Sequence, residues 1–328
     1  MNKGKFSGGW KLDQARIVLA ITVVIFAIAA VTLSGFLTTG NVIAIVRSVA
    51  VLGILALGMG IVIVGRGIDL SMVAIMAMSV AWYLQLLNSG WSDHSALAMA
   101  LLFVLAIGAV NGFLAAYADV PAIFVTLATG SFTFGFVRSQ LIPQDAVMVP
   151  SEHWIIGVGQ FRLEGIPADI YVFLALSLAA FLFLRFTKWG RYIYYAGDNP
   201  VAARNAGMPV RPMMVLRYVL SALAAFTAGL LTAASLQSIN TRIVNGTLLY
   251  DIVLVAVIGG IGLSGGKGGV KNVLIGAFLI GVLLNVMTIL DIPELYQNLI
   301  KSTILLIAII VDGLLNPRDE QTAQQGDI

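Results

Sequence analysis

The chain has 328 residues, of which 59% are hydrophobic and only 11% are charged, and its formal net charge is +3. A soluble domain carries about 25% charged residues, so the composition excludes a protein whose whole surface faces water. Lipid must cover most of this chain. Cysteine is absent, which also excludes disulfide bonds.

Ten apolar segments predict an all-α integral membrane protein with about ten transmembrane helices. Nine of them are at least about 17 residues long with few charges, which is enough for a helix to cross the hydrocarbon. They are 17–38, 42–64, 72–88, 96–116, 122–140, 170–186, 216–238, 271–290 and 298–315. The tenth, 252–264, is short by this criterion. The first is long for the apolar part of a signal peptide, so we interpret it as a retained anchor.

The distribution of lysine and arginine predicts the orientation of the chain. With a cytoplasmic N-terminus and ten crossings, most basic residues fall on the cytoplasmic side, including those of the long loop 187–215. Without segment 252–264, this loop and the C-terminal tail would lie on opposite sides. We therefore expect a single transmembrane domain over 1–328, with cytoplasmic tails at 1–16 and 317–328.

The stretch GRGIDLS, residues 65–71, is the first break between spans, and a second lies near 252–269. In the first break, the oxygens of Asp69 and Ser71 can cap the helix that follows. Arg66 can pair with Asp69 or extend to the inner headgroups. The alternative is that these side chains line a translocation path or close its inner end.

The predicted spans contain very few ionisable residues. Arg47 and Lys301 lie near outer ends, where their side chains can reach the headgroups, and no carboxylate or histidine falls near the middle of a span. Ion-coupled carriers usually need such a group, so the pattern disfavours them. The remaining polar side chains would suit a path for a neutral, hydroxylated solute; they are Asn111, Thr126, Thr129 and Ser131.

The predicted cytoplasmic loop 187–215 contains the signals of a short helix. Asp198 and Asn199 form a plausible N-cap, Pro200 suits the first helical turn, and Gly207 suits the stop. A helix of about two turns is marginal alone in water. It therefore needs a surface to dock on, which is either the membrane or a partner protein.

The glycine cluster at 259–269 imitates nucleotide-binding motifs but lacks their essential residues. Lys267 follows a glycine as in a phosphate-binding loop, yet Gly268 stands where the metal-binding hydroxyl should be. We therefore expect no ATP site in this chain. The cluster, which begins with Gly259 and Gly260, predicts either a tight turn with close backbone packing or an irregular element beside a translocation path.

Four stretches in the same order resemble the permease subunits of ribose-type sugar ABC importers, and the resemblance extends from about residue 40 to 315. The stretches are GRGIDLS at 65–71, PAIFVTL at 121–127, GRYIYYAGDNPVAARNAGMPV at 190–210, and the glycine cluster followed by Gly276 and Ala277. The third is similar to the coupling loop of these permeases. One departure is Arg66, which replaces a glycine of the family pattern, and Met72-Val73-Ala74 lacks the family's glycine-containing run.

The resemblance implies one of two transmembrane subunits, identical or not, in the bacterial inner membrane. A separate cytoplasmic ATPase would hold ATP and Mg²⁺ and drive alternating access, and a periplasmic sugar-binding protein would deliver the solute. This chain would bind lipid but no cofactor, metal or nucleic acid, and would catalyse no reaction. The residues that would couple it to the ATPase are Asp198, Asn199, Pro200, Ala202, Ala203, Arg204 and Gly207. The residues that would line or gate the path are Arg66, Asp69, Ser71, Asn111, Thr126, Thr129, Gly259 and Gly260.

Three other functions are alternatives to an importer permease. An ion-coupled secondary transporter of a small polar solute is the first, and the scarcity of carboxylates in the spans counts against it. A passive pore would leave the short cytoplasmic helix without a purpose. A membrane-embedded enzyme is not favoured, because the spans show no nucleophile–base pair and no metal-ligand cluster.

Overall fold

The computed structural model describes residues 14–315, so the predicted tail 317–328 and most of the tail 1–16 lie outside the described residues. The helices are α1 Gln14–Thr32, α2 Thr39–Val64, α3 Met72–Asn88, α4 Asp93–Tyr117, α5 Ala122–Phe136, α6 Trp154–Gln160, α7 Ala168–Phe186, α8 Lys188–Asp198, α9 Pro200–Asn205, α10 Val210–Leu236, α11 Leu248–Ile258, α12 Val270–Ile289 and α13 Glu294–Leu315. The strands are β1 Ala146–Met148, β2 Arg162–Leu163, β3 Ile166–Pro167 and β4 Ser238–Asn240.

The helices confirm an all-α protein of the multi-pass membrane type. Within residues 14–315, eight helices are long and apolar enough to cross a membrane, and α3 and α11 are shorter apolar helices. The short segment predicted at 252–264 is α11, which begins earlier and ends at Ile258 because the glycines that follow do not sustain a helix. The span predicted from residue 216 is α10, which already begins at Val210.

Helix α2 lies at the centre of the molecule. Nearly every residue from Val49 to Val64 is buried, because α7, α10, α11 and α12 all pack against this helix. Small residues allow the helices to approach closely, as is usual in membranes. At Gly112 of α4, a Cβ would overlap the backbone of Val215 in α10. The apolar character of α2 therefore reflects burial within protein rather than contact with lipid.

The outer helices present apolar side chains on the molecular surface. On α1, for example, Val24 is 56% exposed and Val31 is 88% exposed. Leu102 and Phe113 of α4 and Phe124 of α5 are exposed in the same way. Such a surface is stable only in contact with lipid or with another apolar chain.

The segment between α5 and α7 is structured. Strand β1 pairs antiparallel with β4, with Val147 opposite Ile239, and β2 pairs with β3 in a short hairpin. Helix α6 packs against the end of α10. These elements form a layer over one end of the helical bundle, on the side that the charge distribution assigns to the periplasm.

The expectation that Arg47 and Lys301 extend to the headgroups is wrong. Arg47 Nε pairs with the buried carboxylate of Asp169 at 2.7 Å, and Lys301 Nζ pairs with Asp251 at 2.8 Å. Both partners lie on other helices, far away in the sequence. The spans are therefore less free of charge than the sequence suggested, since Asp251 lies buried in the first turn of α11.

Candidate functional site

The break between α2 and α3 folds around the carboxylate of Asp69. Both Asp69 and Ser71 are fully buried. One oxygen of Asp69 accepts hydrogen bonds from the amide of Ser71 at 3.0 Å and from its hydroxyl at 2.5 Å. Ser71 is itself the N-cap residue of α3, and its side chain accepts no capping bond. The predicted cap is therefore wrong in detail, because the carboxylate orders the loop instead of the first helical turn.

Arg66 does not pair with Asp69, whose oxygens are taken by serines. Its backbone has a φ of +69°, in the left-handed region that a residue with a Cβ rarely adopts. Its side chain is half-buried. The break thus contains one strained, charged residue between Gly65 and Gly67.

A buried polar network extends from Asp69 to three other helices. Ser221 of α10 donates to the second oxygen of Asp69 at 2.7 Å. Asn111 of α4 donates to the hydroxyl of Ser71 at 2.8 Å, and Thr129 of α5 donates to Asn111 at 2.5 Å. Four segments of the chain therefore meet at one cluster, in which the buried polar side chains are hydrogen-bonded to one another.

Helix α5 makes a second contact with the same break. The hydroxyl of Thr126 is buried and donates to the carbonyl of Ala122 at 2.8 Å and to that of Ile68 at 3.3 Å. The structure therefore brings together the polar path candidates Asp69, Ser71, Asn111, Thr126 and Thr129. Ser131, by contrast, is exposed.

Arg217 of α10 was not recognised from the sequence as a residue of this site. Arg217 is 3% exposed, and its Nε and Nη1 have no hydrogen-bond partner within the described part of the chain. Its guanidinium lies so close to Gly65 that a Cβ there would overlap it. Helix α10 begins seven residues before Arg217 and places it inside the bundle. A buried, unpaired cation is costly.

The glycine cluster forms a close-packed turn between α11 and α12. The amide of Gly266 donates to the carbonyl oxygen of Val64, the last residue of α2, at 2.7 Å. Gly266 has a φ of +72°, which glycine adopts without strain. At the other end of the turn, the side chain of Asn272 donates to the carbonyl of Gly259 at 2.7 Å. Gly260 lies beside the same asparagine, so neither glycine joins the polar network around Asp69.

The predicted short helix is present as α9. The side chain of Asn199 accepts a hydrogen bond from the amide of Ala202 at 2.9 Å, as an N-cap does, and Pro200 occupies the first turn. Gly207 has a φ of +75°, which ends the helix. Asp198 does not cap α9, because it is the last residue of α8, an amphipathic helix that the sequence analysis did not predict.

Helix α9 has one anchored face and one exposed face. Ala203 is 3% exposed and packs with Ala196 of α8 and Val210 of α10. Ala202 and Arg204 are exposed. The exposed face is small and carries one cation, Arg204.

Helix α8 connects α9 to the end of α2. A Cβ at Gly197 would overlap the carbonyl oxygen of Val64 and would lie 2.8 Å from the amide of Gly266. We call the contact of Val64, Gly197 and Gly266 the coupling junction. Because it is made of backbone atoms, no flexible side chain absorbs a displacement of α8. Helix α8 and the end of α2 are therefore in direct backbone contact.

Comparisons with known proteins identify the family of the chain. A family model described as the permease component of the branched-chain amino acid transport system matches residues 41–309. The ribose import permease protein RbsC of Escherichia coli is 31% identical over 94% of this chain and 96% of its own length. The L-arabinose ABC transporter permease protein AraH of Azospirillum brasilense is 30% identical, over 93% of this chain and 89% of its own.

A further relative is the ribose import permease protein RbsC of Bacillus subtilis, which is 29% identical over 84% of this chain and 86% of its own. No solved structure matches the chain significantly. The family model and the relatives each cover most of the chain. The chain therefore belongs to the family of ABC-transporter permease components that includes these importers.

Proposed function

We propose that this chain is the transmembrane subunit of an ABC importer that moves a sugar, or a related neutral hydroxylated solute, across the bacterial inner membrane. The observation that carries the proposal is the coupling junction, through which the exposed helix α9 acts on the break around Asp69. The names of the relatives, a ribose import permease and an L-arabinose ABC transporter permease, favour a sugar as the solute.

The proposal assigns each partner to a surface of the chain. Helix α9, with Ala202 and Arg204 exposed, docks on a separate cytoplasmic ATPase that binds ATP and Mg²⁺. The opposite end, covered by α6 and the strands, faces a periplasmic sugar-binding protein. The apolar outer faces of the helices contact lipid and a second permease subunit. The concentration of basic residues on the α8 side supports this orientation.

In this mechanism, ATP binding and hydrolysis on the partner displace α9 and α8. The coupling junction passes the displacement to the end of α2, and the hydrogen-bonded network around Asp69 moves α4, α5 and α10 with it. Packed helices switch between discrete arrangements instead of deforming continuously. The two permease subunits thereby alternate between outward and inward openings.

The test is uptake into proteoliposomes that contain this chain with its ATPase, supplied with the sugar-binding protein. We expect accumulation of the solute to require ATP and to be insensitive to an imposed proton or sodium gradient. Accumulation driven by an ion gradient without ATP would instead establish the alternative, a secondary transporter. That comparison is decisive because buried carboxylates such as Asp251 do occur in the spans.

A further inference from the structure

A cavity of about 450 Å³ lies between the end of α7, helix α8 and the start of α12. Three cations line it, namely Arg185 of α7, Arg191 of α8 and Lys271 of α12. No carboxylate lines it, and within residues 14–315 none of the three forms an ion pair. The cavity therefore concentrates positive charge that the described part of the chain leaves without a counter-ion.

The walls of the cavity differ in polarity. The polar part of the wall includes Lys271, which lies in the first turn of α12, where the helix dipole adds partial positive charge. The apolar part is formed by Phe181, which is 40% exposed, and by Leu184, which is buried. The guanidinium of Arg185 lies 5.6 Å from the ring centroid of Phe181.

A cavity with both cationic and apolar side chains in its wall favours an amphipathic anion as its ligand. A free phosphate would use the cations but would leave the apolar wall exposed, whereas a phospholipid satisfies both. Cations at the cytoplasmic membrane surface attract anionic lipids, and basic pockets between transmembrane helices bind their headgroups. We propose that the cavity binds the phosphate headgroup of an anionic phospholipid, with an acyl chain against the exposed ring of Phe181.

A lipid bound in this cavity would also affect the contact between α8 and the glycine turn. The hydroxyl of Tyr194, which also lines the cavity, donates to the carbonyl of Gly268 at 2.8 Å and so ties α8 to the glycine turn. A headgroup held by Arg191 and Lys271 would strengthen the same connection. This consequence rests on the proposed function, but binding of the lipid does not.

Native mass spectrometry of the purified chain tests the inference without any partner protein. The chain is incubated in detergent with phosphatidylglycerol or phosphatidylethanolamine carrying the same acyl chains. We expect preferential retention of phosphatidylglycerol. Arg185→Gln and Lys271→Gln should each weaken that preference by about fivefold, which corresponds to the attraction expected for one basic side chain at the surface.

Two control variants distinguish the loss of a cation in the cavity from the loss of any cation on the protein surface. Lys188→Gln removes an exposed cation of α8 that does not line the cavity, and it should leave the preference unchanged. Arg185→Lys keeps the charge and should retain most of the preference. All variants are compared by their elution as a single species in gel filtration.

Three results would overturn the lipid assignment. The first is equal retention of both lipids by the unaltered chain. The second is a preference that is undiminished in the Arg185→Gln, Lys271→Gln double variant. The third is displacement of phosphatidylglycerol by an equal concentration of inorganic phosphate, which would identify a free anion as the occupant. Because uptake is not measured, failure of the transport proposal would leave these results unaffected.

Discussion

The amide of Gly266 donates a hydrogen bond of 2.7 Å to the carbonyl oxygen of Val64. The bond joins the glycine turn to the last residue of the central helix, and Gly197 of α8 packs against both groups. The three segments are remote in sequence but share one backbone contact. This contact places helix α8 directly against the end of α2.

Substitution Gly197→Ala should damage the coupling junction. The added methyl group would overlap the carbonyl of Val64, and insertion of one carbon into a packed site costs about 1–3 kcal/mol. We expect a lower midpoint of thermal unfolding in detergent and a loss of ATP-dependent uptake.

The matched control is Gly135→Ala, in an exposed position of helix α5 with open space around it. Alanine favours a helix over glycine by about 1 kcal/mol, so this variant should be at least as stable as the unaltered chain. Equal behaviour of the two variants would contradict the proposed role of the junction.

Substitution Asp69→Ala should destabilise the protein more than the loss of a helix cap would. It removes the acceptor of the hydroxyls of Ser71 and Ser221, and each buried group left without a partner costs about 1–3 kcal/mol. Asp69→Asn should cost less, because its carbonyl oxygen can still accept and its amide can donate to Ser221. Unfolding in mixed micelles with increasing SDS measures the difference.

A double-mutant cycle checks the origin of this effect. In the Asp69→Ala, Ser221→Ala variant the unpaired hydroxyl of residue 221 is gone, so the loss should be smaller than the sum of the single losses. Additive losses would show that the hydrogen bond is not the cause. A folded Asp69→Ala variant without any transport would favour a role in lining the path.

Breaking the buried ion pair of Lys301 and Asp251 should be strongly destabilising. Lys301→Met leaves the carboxylate of Asp251 unpaired, which typically costs about 3–5 kcal/mol. Adding Asp251→Leu should recover most of that loss. The exposed pair of Arg242 and Asp145 is the comparison, since Arg242→Ala should change stability by less than about 1 kcal/mol.

Charge reversal at Arg204 should uncouple the chain from its ATPase without unfolding it. The side chain is exposed and forms no ion pair within the described residues. We expect Arg204→Glu to insert and elute normally but to lose permease-dependent stimulation of ATP hydrolysis. Lys188→Glu makes the same change on α8 and should retain stimulation. Normal uptake by Arg204→Glu would refute docking through α9.

Gly207→Pro should have a similar effect through the backbone. Proline cannot adopt the φ of +75° found here, and it lacks the amide that Gly207 donates to the carbonyl of Arg204 at 3.0 Å. The end of α9 should therefore unwind. The readout is the ratio of ATP hydrolysed to solute accumulated, which should rise.

Local signals in the sequence were sufficient to predict helix α9. Its N-cap, first-turn proline and terminal glycine act within a few residues of one another, so capping rules apply directly. Helix α8 was missed because it mixes charged and aromatic residues, and because buried residues such as Ile193 stabilise it through tertiary packing.

The polar network was predicted only in part. Asn111 and Thr129 stood out because polar side chains are rare in apolar spans. Ser221 was missed because its hydrogen-bond partner, Asp69, lies 152 residues away in the sequence. The sequence of one helix does not show which residues of a neighbouring helix lie opposite it. Arg217 lies one helical turn before Ser221, and this spacing on a single helix face was the signal that could have revealed both.

The left-handed backbone of Arg66 lowers the thermal stability of the fold. An arginine in the left-handed region carries about 1–2 kcal/mol of strain that glycine would avoid, and glycine's greater freedom in the unfolded chain offsets only about 0.5–1 kcal/mol of that gain. Arg66→Gly should therefore melt at a slightly higher temperature. If this more stable variant also transports solute more slowly, the strained backbone of Arg66 contributes to the transport cycle and not to the stability of the fold.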